Sequence, residues 1–186
     1  MSDWKSRTYT KVVLDSHPQG KVSDDNFRVV ADAMPEVRAD HVLVEVQYLS
    51  IDAFIRTTLD GGGFHQSAKL GGVAPALGVG IVRESMASGF APGDIVTGPM
   101  CSQTHALLPA AAVAKVPDLG LPLTAHLGAL SIATGLTSYV GMKCVAQIGP
   151  DDTVVVSGAA GAVGSLAGQV ARLLGARRVI GIAGLV

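Results

Sequence analysis

Apolar and polar positions alternate in short blocks along the first two-thirds of the chain, then widen to helical spacing, then close into an apolar run. Tyr9–Leu14 and Val42–Ile51 predict strands, the second with Val42, Val44, Val46 and Tyr48 on one face. Ala76–Val82, Asp94–Thr97 and Ala112–Val116 predict further short strands, and the turn Ala91-Pro92-Gly93-Asp94 opens one of them. Gly61-Gly62-Gly63 and Gly71-Gly72 bracket a segment expected to be a mobile loop. From Leu123 to about Val145 the spacing is helical, with Leu127, Leu130, Thr134, Thr137 and Ser138 on neighbouring turns.

After Pro150-Asp151-Asp152 comes Thr153–Ser157, whose three consecutive valines predict a strand buried on both faces. A helix is predicted over 162–174, with Val163, Ala167, Val170 and Leu174 along one stripe. Gly164 and Gly168 stand four apart, so that this helix can sit close on a sheet. Gly175 suits a left-handed cap, and Val179–Ala183 returns to the extended pattern. The layout is a β-rich domain over 1–125 and a second domain over 126–186, with no repeat and no low-complexity segment.

Composition narrows the classes. The chain has 186 residues, 48% hydrophobic and 16% charged, enough apolar material for a core and too little charge for disorder. A net charge of −1 without a basic block points away from nucleic acid and anionic membranes. The opening MSDWKSRTYTKVVLDSHP has no apolar core of a secretory signal, and no apolar run reaches the length of a membrane span. Cys101 and Cys144 form no CxxC pattern, so a reduced, cytoplasmic protein with two small buried thiols is the expectation.

The chemistry concentrates in Gly158-Ala159-Ala160-Gly161-Ala162-Val163-Gly164. Small residues between a strand and a helix let the chain turn tightly and let a pyrophosphate lie against backbone N–H groups. These seven residues are the candidate cofactor-binding turn. No Lys-Ser/Thr pair follows the last glycine, so the turn is not a P-loop. The acidic residue that would bind an NAD ribose about 20 residues on would fall near Gly184, where none stands, which favours NADP.

A β-rich domain ahead of a dinucleotide turn resembles the medium-chain dehydrogenase/reductase superfamily. The zinc-free, NADP-dependent branch of prostaglandin, curcumin and 2-alkenal reductases is similar over most of the chain. Val13-Leu14 with Pro18, Gly20 and Phe27 resembles that branch's opening, and Ser50-Ile51-Asp52-Ala53-Phe54-Ile55-Arg56 resembles its "SvDPYMR". Gly135-Leu136-Thr137-Ser138-Tyr139 resembles "GLTAY", and the glycine turn with Ser165, Gly168 and Gln169 is the most specific segment. The resemblance implies an α/β fold: a GroES-like partial barrel followed by the first βαβ unit of a Rossmann domain. It implies NADPH-dependent reduction of the C=C bond of α,β-unsaturated ketones or aldehydes by hydride transfer, with NADPH:quinone reduction as an alternative.

It also implies residues. Thr137 matches a position near the nicotinamide end of the cofactor. Asp52, Phe54 and Arg56 fall at the substrate pocket, where Asp52 and Arg56 are placed to form a local ion pair. The family's Asp-Pro-Tyr is here Asp52-Ala53-Phe54, and phenylalanine cannot donate to a substrate oxygen. Phe54 is therefore either an altered pocket residue or ordinary lining. No catalytic dyad is implied.

Zinc-dependent relatives place Cys shortly before Asp, and His-Glu later. Here Ser50-Ile51-Asp52 and Leu77-Gly78-Val79-Gly80 stand at those places, and His17, His41, His65, His105 and His126 lack ligand spacing, so no metal is expected.

Family members are longer. The ending at Leu185-Val186 predicts an incomplete dinucleotide domain, with the 2′-phosphate grip absent. A truncated reductase, a piece of a longer protein and a short protein that pairs its exposed strands in a homodimer all remain open. A catalytically inactive remnant or interaction module is the alternative to an enzyme.

Overall fold

The computed structural model describes residues 8–60 and 67–184. The glycine run 61–63 and His65 lie outside them, as do the chain ends. The chain divides into two units, Met1–Leu121 and Pro122–Val186.

In the first unit, β1 (Thr8–Leu14) pairs antiparallel with β2 (Phe27–Ala33) from Thr8 opposite Ala33 to Leu14 opposite Phe27. The larger sheet holds β3 (His41–Ser50), β4 (Leu77–Ser85), β5 (Ile95–Gly98), β6 (His105–Pro109) and β7 (Ala114–Lys115) in the order β6-β3-β4-β5-β7, all antiparallel. β1 is stitched on by Val12 N–H to Ser102 O at 2.8 Å and Leu14 N–H to Gly72 O at 2.9 Å. A short helix, α1 (Ala53–Thr58), follows β3. Val42, Val44, Val82, Val96, Met100, Ala106 and Val113 make the core. This is a partial GroES-like domain.

The strands at β2 and β6 escaped the sequence pattern. β2 is largely exposed, so it has no apolar alternation to display, and β6 is too short to show a period. The alternation expected along β3 also breaks. Register shifts between Leu43 and Val44, and between Val46 and Tyr48, bury Val42, Leu43 and Val44 in succession and leave Tyr48 exposed. Gly80 explains why β3 and β4 sit so close there, because a Cβ on it would lie 2.5 Å from Glu45 O.

In the second unit, a short turn at Leu123–His126 precedes the main helical run, so Leu127 and Leu130 lie ahead of that run instead of on its turns. The run has wide turns at Ile132–Leu136 and Val140–Val145 around one α-turn, α2 (Thr137–Tyr139). Bonds from Leu136 N–H to Ser131 O and from Ala146 N–H to Gly141 O, each 2.9 Å and spanning five residues, define the wide turns. β8 (Thr153–Ser157) and β9 (Arg178–Ile182) pair in parallel across α3 (Ala162–Leu173), giving the first strand-helix-strand unit of a Rossmann domain.

β8 departs from the expected burial. Val154 and Val156 are buried against Ala167 and Ala171, whereas Val155 on the other face is 58% exposed. The described residues place α3 against one face of this two-stranded sheet. The helix contact also rotates from the predicted stripe. Ala167 and Ala171 are buried and Val163 is exposed, because alanine lets the helix backbone approach most closely. Gly175 caps α3 as expected at φ 92°, with Gly175 N–H to Arg172 O at 2.9 Å and Ala176 N–H to Ala171 O at 3.0 Å.

Candidate functional site: a glycine turn at the start of α3

The chain leaves β8 through Gly158 in the left-handed region, φ 61°, a conformation that costs a side-chain-bearing residue energy. Gly161 N–H closes the turn on Gly158 O at 2.9 Å, and Ala159 N–H ties it to the end of β9 through Ile182 O at 3.0 Å. Gly161 is the N-cap of α3 and offers no side-chain acceptor. The N–H groups of Ala162, Val163 and Gly164 therefore open the helix without a side-chain cap, at the positive end of its dipole.

Gly164 shows how tightly the turn is wound. An ideal Cβ there would fall inside contact distance of Gly158 O, 2.9 Å from the Gly158 carbonyl carbon and 3.1 Å from Ala159 Cα. Gly168, one turn later, is different: its Cβ would meet Val179 Cγ1 at an ordinary 3.7 Å. Beside the turn an open groove of about 170 Å³ runs past Val156, Ala159, Gly164, Gly168, Gln169, Arg172, Val179 and Gly181. It is smaller than the roughly 300–1,000 Å³ of drug-sized ligand sites, so the groove alone does not hold a dinucleotide.

The neighbouring helical run is fixed by hydroxyls. Ser131 Oγ lies 2.5 Å from Thr134 Oγ1, which donates to Gly128 O at 3.0 Å. Thr137 Oγ1 donates to Ile132 O at 3.1 Å on an exposed part of α2. Ser138, which the sequence offers only as one residue of the helical spacing, is buried and reaches Val163 O in α3 at 2.9 Å. Only its place in Gly135-Leu136-Thr137-Ser138-Tyr139, where "GLTAY" has alanine, could have marked it.

The substrate-pocket candidates lie on α1 in the first unit. Asp52 is the N-cap of α1 without a side-chain cap bond, and its buried Oδ2 has no hydrogen-bond partner among the described residues. The expected Asp52–Arg56 pair does not form. Arg56 pairs instead with Asp60, one helical turn on, and donates to Gly20 O at 2.6 Å. On a helix the i,i+4 neighbour on either side is in reach, and the arginine turns toward the C-terminal one. Phe54 is half-buried, and its carbonyl accepts from Thr57 Oγ1 at 2.7 Å.

Among the described residues no group of three His, Cys, Asp or Glu side chains is arranged to hold a metal ion, and no helix is long and apolar enough to cross a membrane. Burial raises the thiol pKa of Cys101, whereas Cys144, expected to be buried, is exposed on the wide-turned helix.

Residues 10–116 match a family model described as the N-terminal domain of oxidoreductase. The chain is 35% identical over 175 residues to prostaglandin reductase 1 of Bos taurus, covering 92% of this chain and 50% of that one. It is 32% identical over 173 residues to the NADPH-dependent curcumin reductase of Escherichia coli, with 92% and 50% covered. A crystal structure of CurA from Vibrio vulnificus in complex with NADPH superposes with a TM-score of 0.82 at 28% identity, covering 95% of this chain and 52% of that chain. The chain thus spans about half the length of the curated relatives it matches.

Proposed function

The chain belongs to the NADP-dependent prostaglandin and curcumin reductase branch of the medium-chain dehydrogenase/reductase superfamily, and from that premise we propose that it binds NADPH at the Gly158–Gly164 turn and serves zinc-independent reduction of the C=C bond of α,β-unsaturated ketones and aldehydes. The observation that carries this reading is the turn itself: a left-handed Gly158, an uncapped helix start and a Gly164 whose missing Cβ leaves the turn closed on itself. That geometry fits a pyrophosphate, which needs N–H donors and no side chain in the way.

Bound NADPH would supply the hydride, delivered to the substrate's β-carbon. The residues proposed to hold the cofactor are Gly158, Ala159, Ala160, Gly161, Ala162, Val163 and Gly164, with Thr137 toward its nicotinamide end. Asp52, Phe54 and Arg56 are proposed on the substrate side. Phe54 would offer an apolar wall and no hydrogen bond, so donors for the developing enolate oxygen must come from other groups. The α-carbon then takes a proton from solvent or a nearby acid.

The first test is fluorescence titration of the purified chain with NADPH beside NADH. Saturable binding that favours NADPH is expected; no saturable binding would overturn the cofactor reading. Loss of NADPH absorbance that requires both the chain and a 2-alkenal, and that Gly161→Val abolishes, tests the reaction. Cofactor binding without any such loss would sink the enone reading alone. We further propose that the exposed edge and face of β8 and β9 are covered in a homodimer. Sedimentation velocity showing a monomer at every concentration would remove that.

A further inference from the structure

The first turn of α3 is held from behind. Ser138 Oγ, 2% exposed, lies 2.7 Å from Thr134 O and 2.9 Å from Val163 O. The first contact is the back-bond a helical serine makes to the carbonyl four residues earlier. The second leaves that helix and reaches the opening turn of α3, 25 positions along the chain. Beneath it, Thr134 is itself anchored by Ser131 and Gly128, so the serine stands on a fixed base.

The carbonyl of Val163 and the N–H of Gly164 belong to one planar peptide unit. A hydrogen bond accepted by that carbonyl polarises the unit and makes its N–H a stronger donor. Gly164 N–H is one of the uncapped donors at the start of α3.

We propose that Ser138 is a positioning residue for the anion seat of the glycine turn: through the Val163 carbonyl it fixes and polarises Gly164 N–H toward the cofactor's pyrophosphate. The proposal rests on the NADPH reading above and deepens it. Ser138 carries one hydroxyl hydrogen and faces two carbonyls. An anion at Gly164 N–H draws negative charge onto the Val163 oxygen and so draws that hydrogen toward it. The chain of bonds then runs from hydroxyl to carbonyl, through the peptide, to phosphate. Where the family pattern has alanine, this chain adds a link.

The test compares Ser138→Ala with Ser138→Cys, which keeps nearly the same volume but is a weak donor, so a folding defect in one variant leaves the other to be read. In the ligand-free protein the amide nitrogen resonance of Gly164 is expected to shift upfield in both variants, while that of Gly168 stays. NADPH and inorganic pyrophosphate are each expected to bind about two- to four-fold more weakly, the size of a cooperative contribution to one charge-assisted hydrogen bond. A serine that only packed the helices would leave the Gly164 signal and the pyrophosphate affinity in place. Unchanged resonance and affinity in the variants, with wild-type protein binding normally, would overturn the role of Ser138 and leave the NADPH reading standing. If wild-type protein binds neither probe, the NADPH reading fails and the role of Ser138 fails with it.

Discussion

Replacing Gly164 by alanine adds one methyl group at a place where three backbone atoms of the turn already stand within about contact distance, the nearest being Gly158 O. Two effects oppose each other. Alanine favours the helix by roughly 1 kcal/mol over glycine. Overpacking against backbone, which cannot rotate away as a side chain can, costs about 1–3 kcal/mol. Gly168→Ala makes the same chemical change in the same helix, but its methyl would meet only Val179 Cγ1 at 3.7 Å. Subtracting the two variants cancels most of the propensity term and leaves the steric one.

The expectation is that Gly164→Ala lowers stability by up to about 2 kcal/mol and Gly168→Ala raises it by about 0.5–1 kcal/mol. For a chain of this size the melting temperature moves roughly 2–4 °C per kcal/mol, so the pair should separate by several degrees. Thermal and urea unfolding followed by far-ultraviolet circular dichroism reads both. Two variants that melt together, or Gly164→Ala melting above wild type, would refute the claim that the turn closes on Gly164. NADPH titration of the same proteins should show the loss at Gly164 only.

Other outcomes follow from titrating groups and thiols. Burial lowers the His105 pKa below its ordinary 6.5, with Glu45 pulling it up and Arg83 pushing it down. The unfolded chain therefore holds the proton more tightly, so stability rises with pH up to 6.5 and is lost below it; His105→Gln should flatten that slope in urea midpoints, and an unchanged slope would contradict the assignment. The Asp94 pKa is lowered chiefly by its hydrogen bond from Lys115, then by Ala91 N–H, so its contribution is present above 3.8 and lost as pH falls through the lower folded value. Lys115→Met should move the Asp94 carboxyl resonance titration upward, and a fixed midpoint would show the pair to be idle. Iodoacetamide should label exposed Cys144 well before half-buried Cys101, whose thiol pKa is raised by burial; equal rates by mass spectrometry would count against that burial.

Much of the fold and of the candidate site was legible because it depends on neighbours in sequence. A valine run, a block of small residues and a helical stretch ending in glycine specify strand, turn, helix and cap locally, and Thr153–Ser157, Ala162–Leu173 and Gly175 appear where the pattern put them. β2 and β6 were not legible. Their pairing is made by partners 13 or more positions away, which no local period reports. The wide turns around α2 were equally hidden, since the same residues would read as an ordinary helix.

The site divides along the same line. From residues 158–164 alone came the tight turn proposed to seat a pyrophosphate, because glycine and alanine there set backbone conformation directly. Only the tertiary structure decided that Arg56 turns to Asp60 and away from Asp52, that Val155 faces outward, and that Ser138 reaches across to Val163. Spacing tells which side chains share a face of one element, whereas the choice among partners in reach belongs to the packing of different elements.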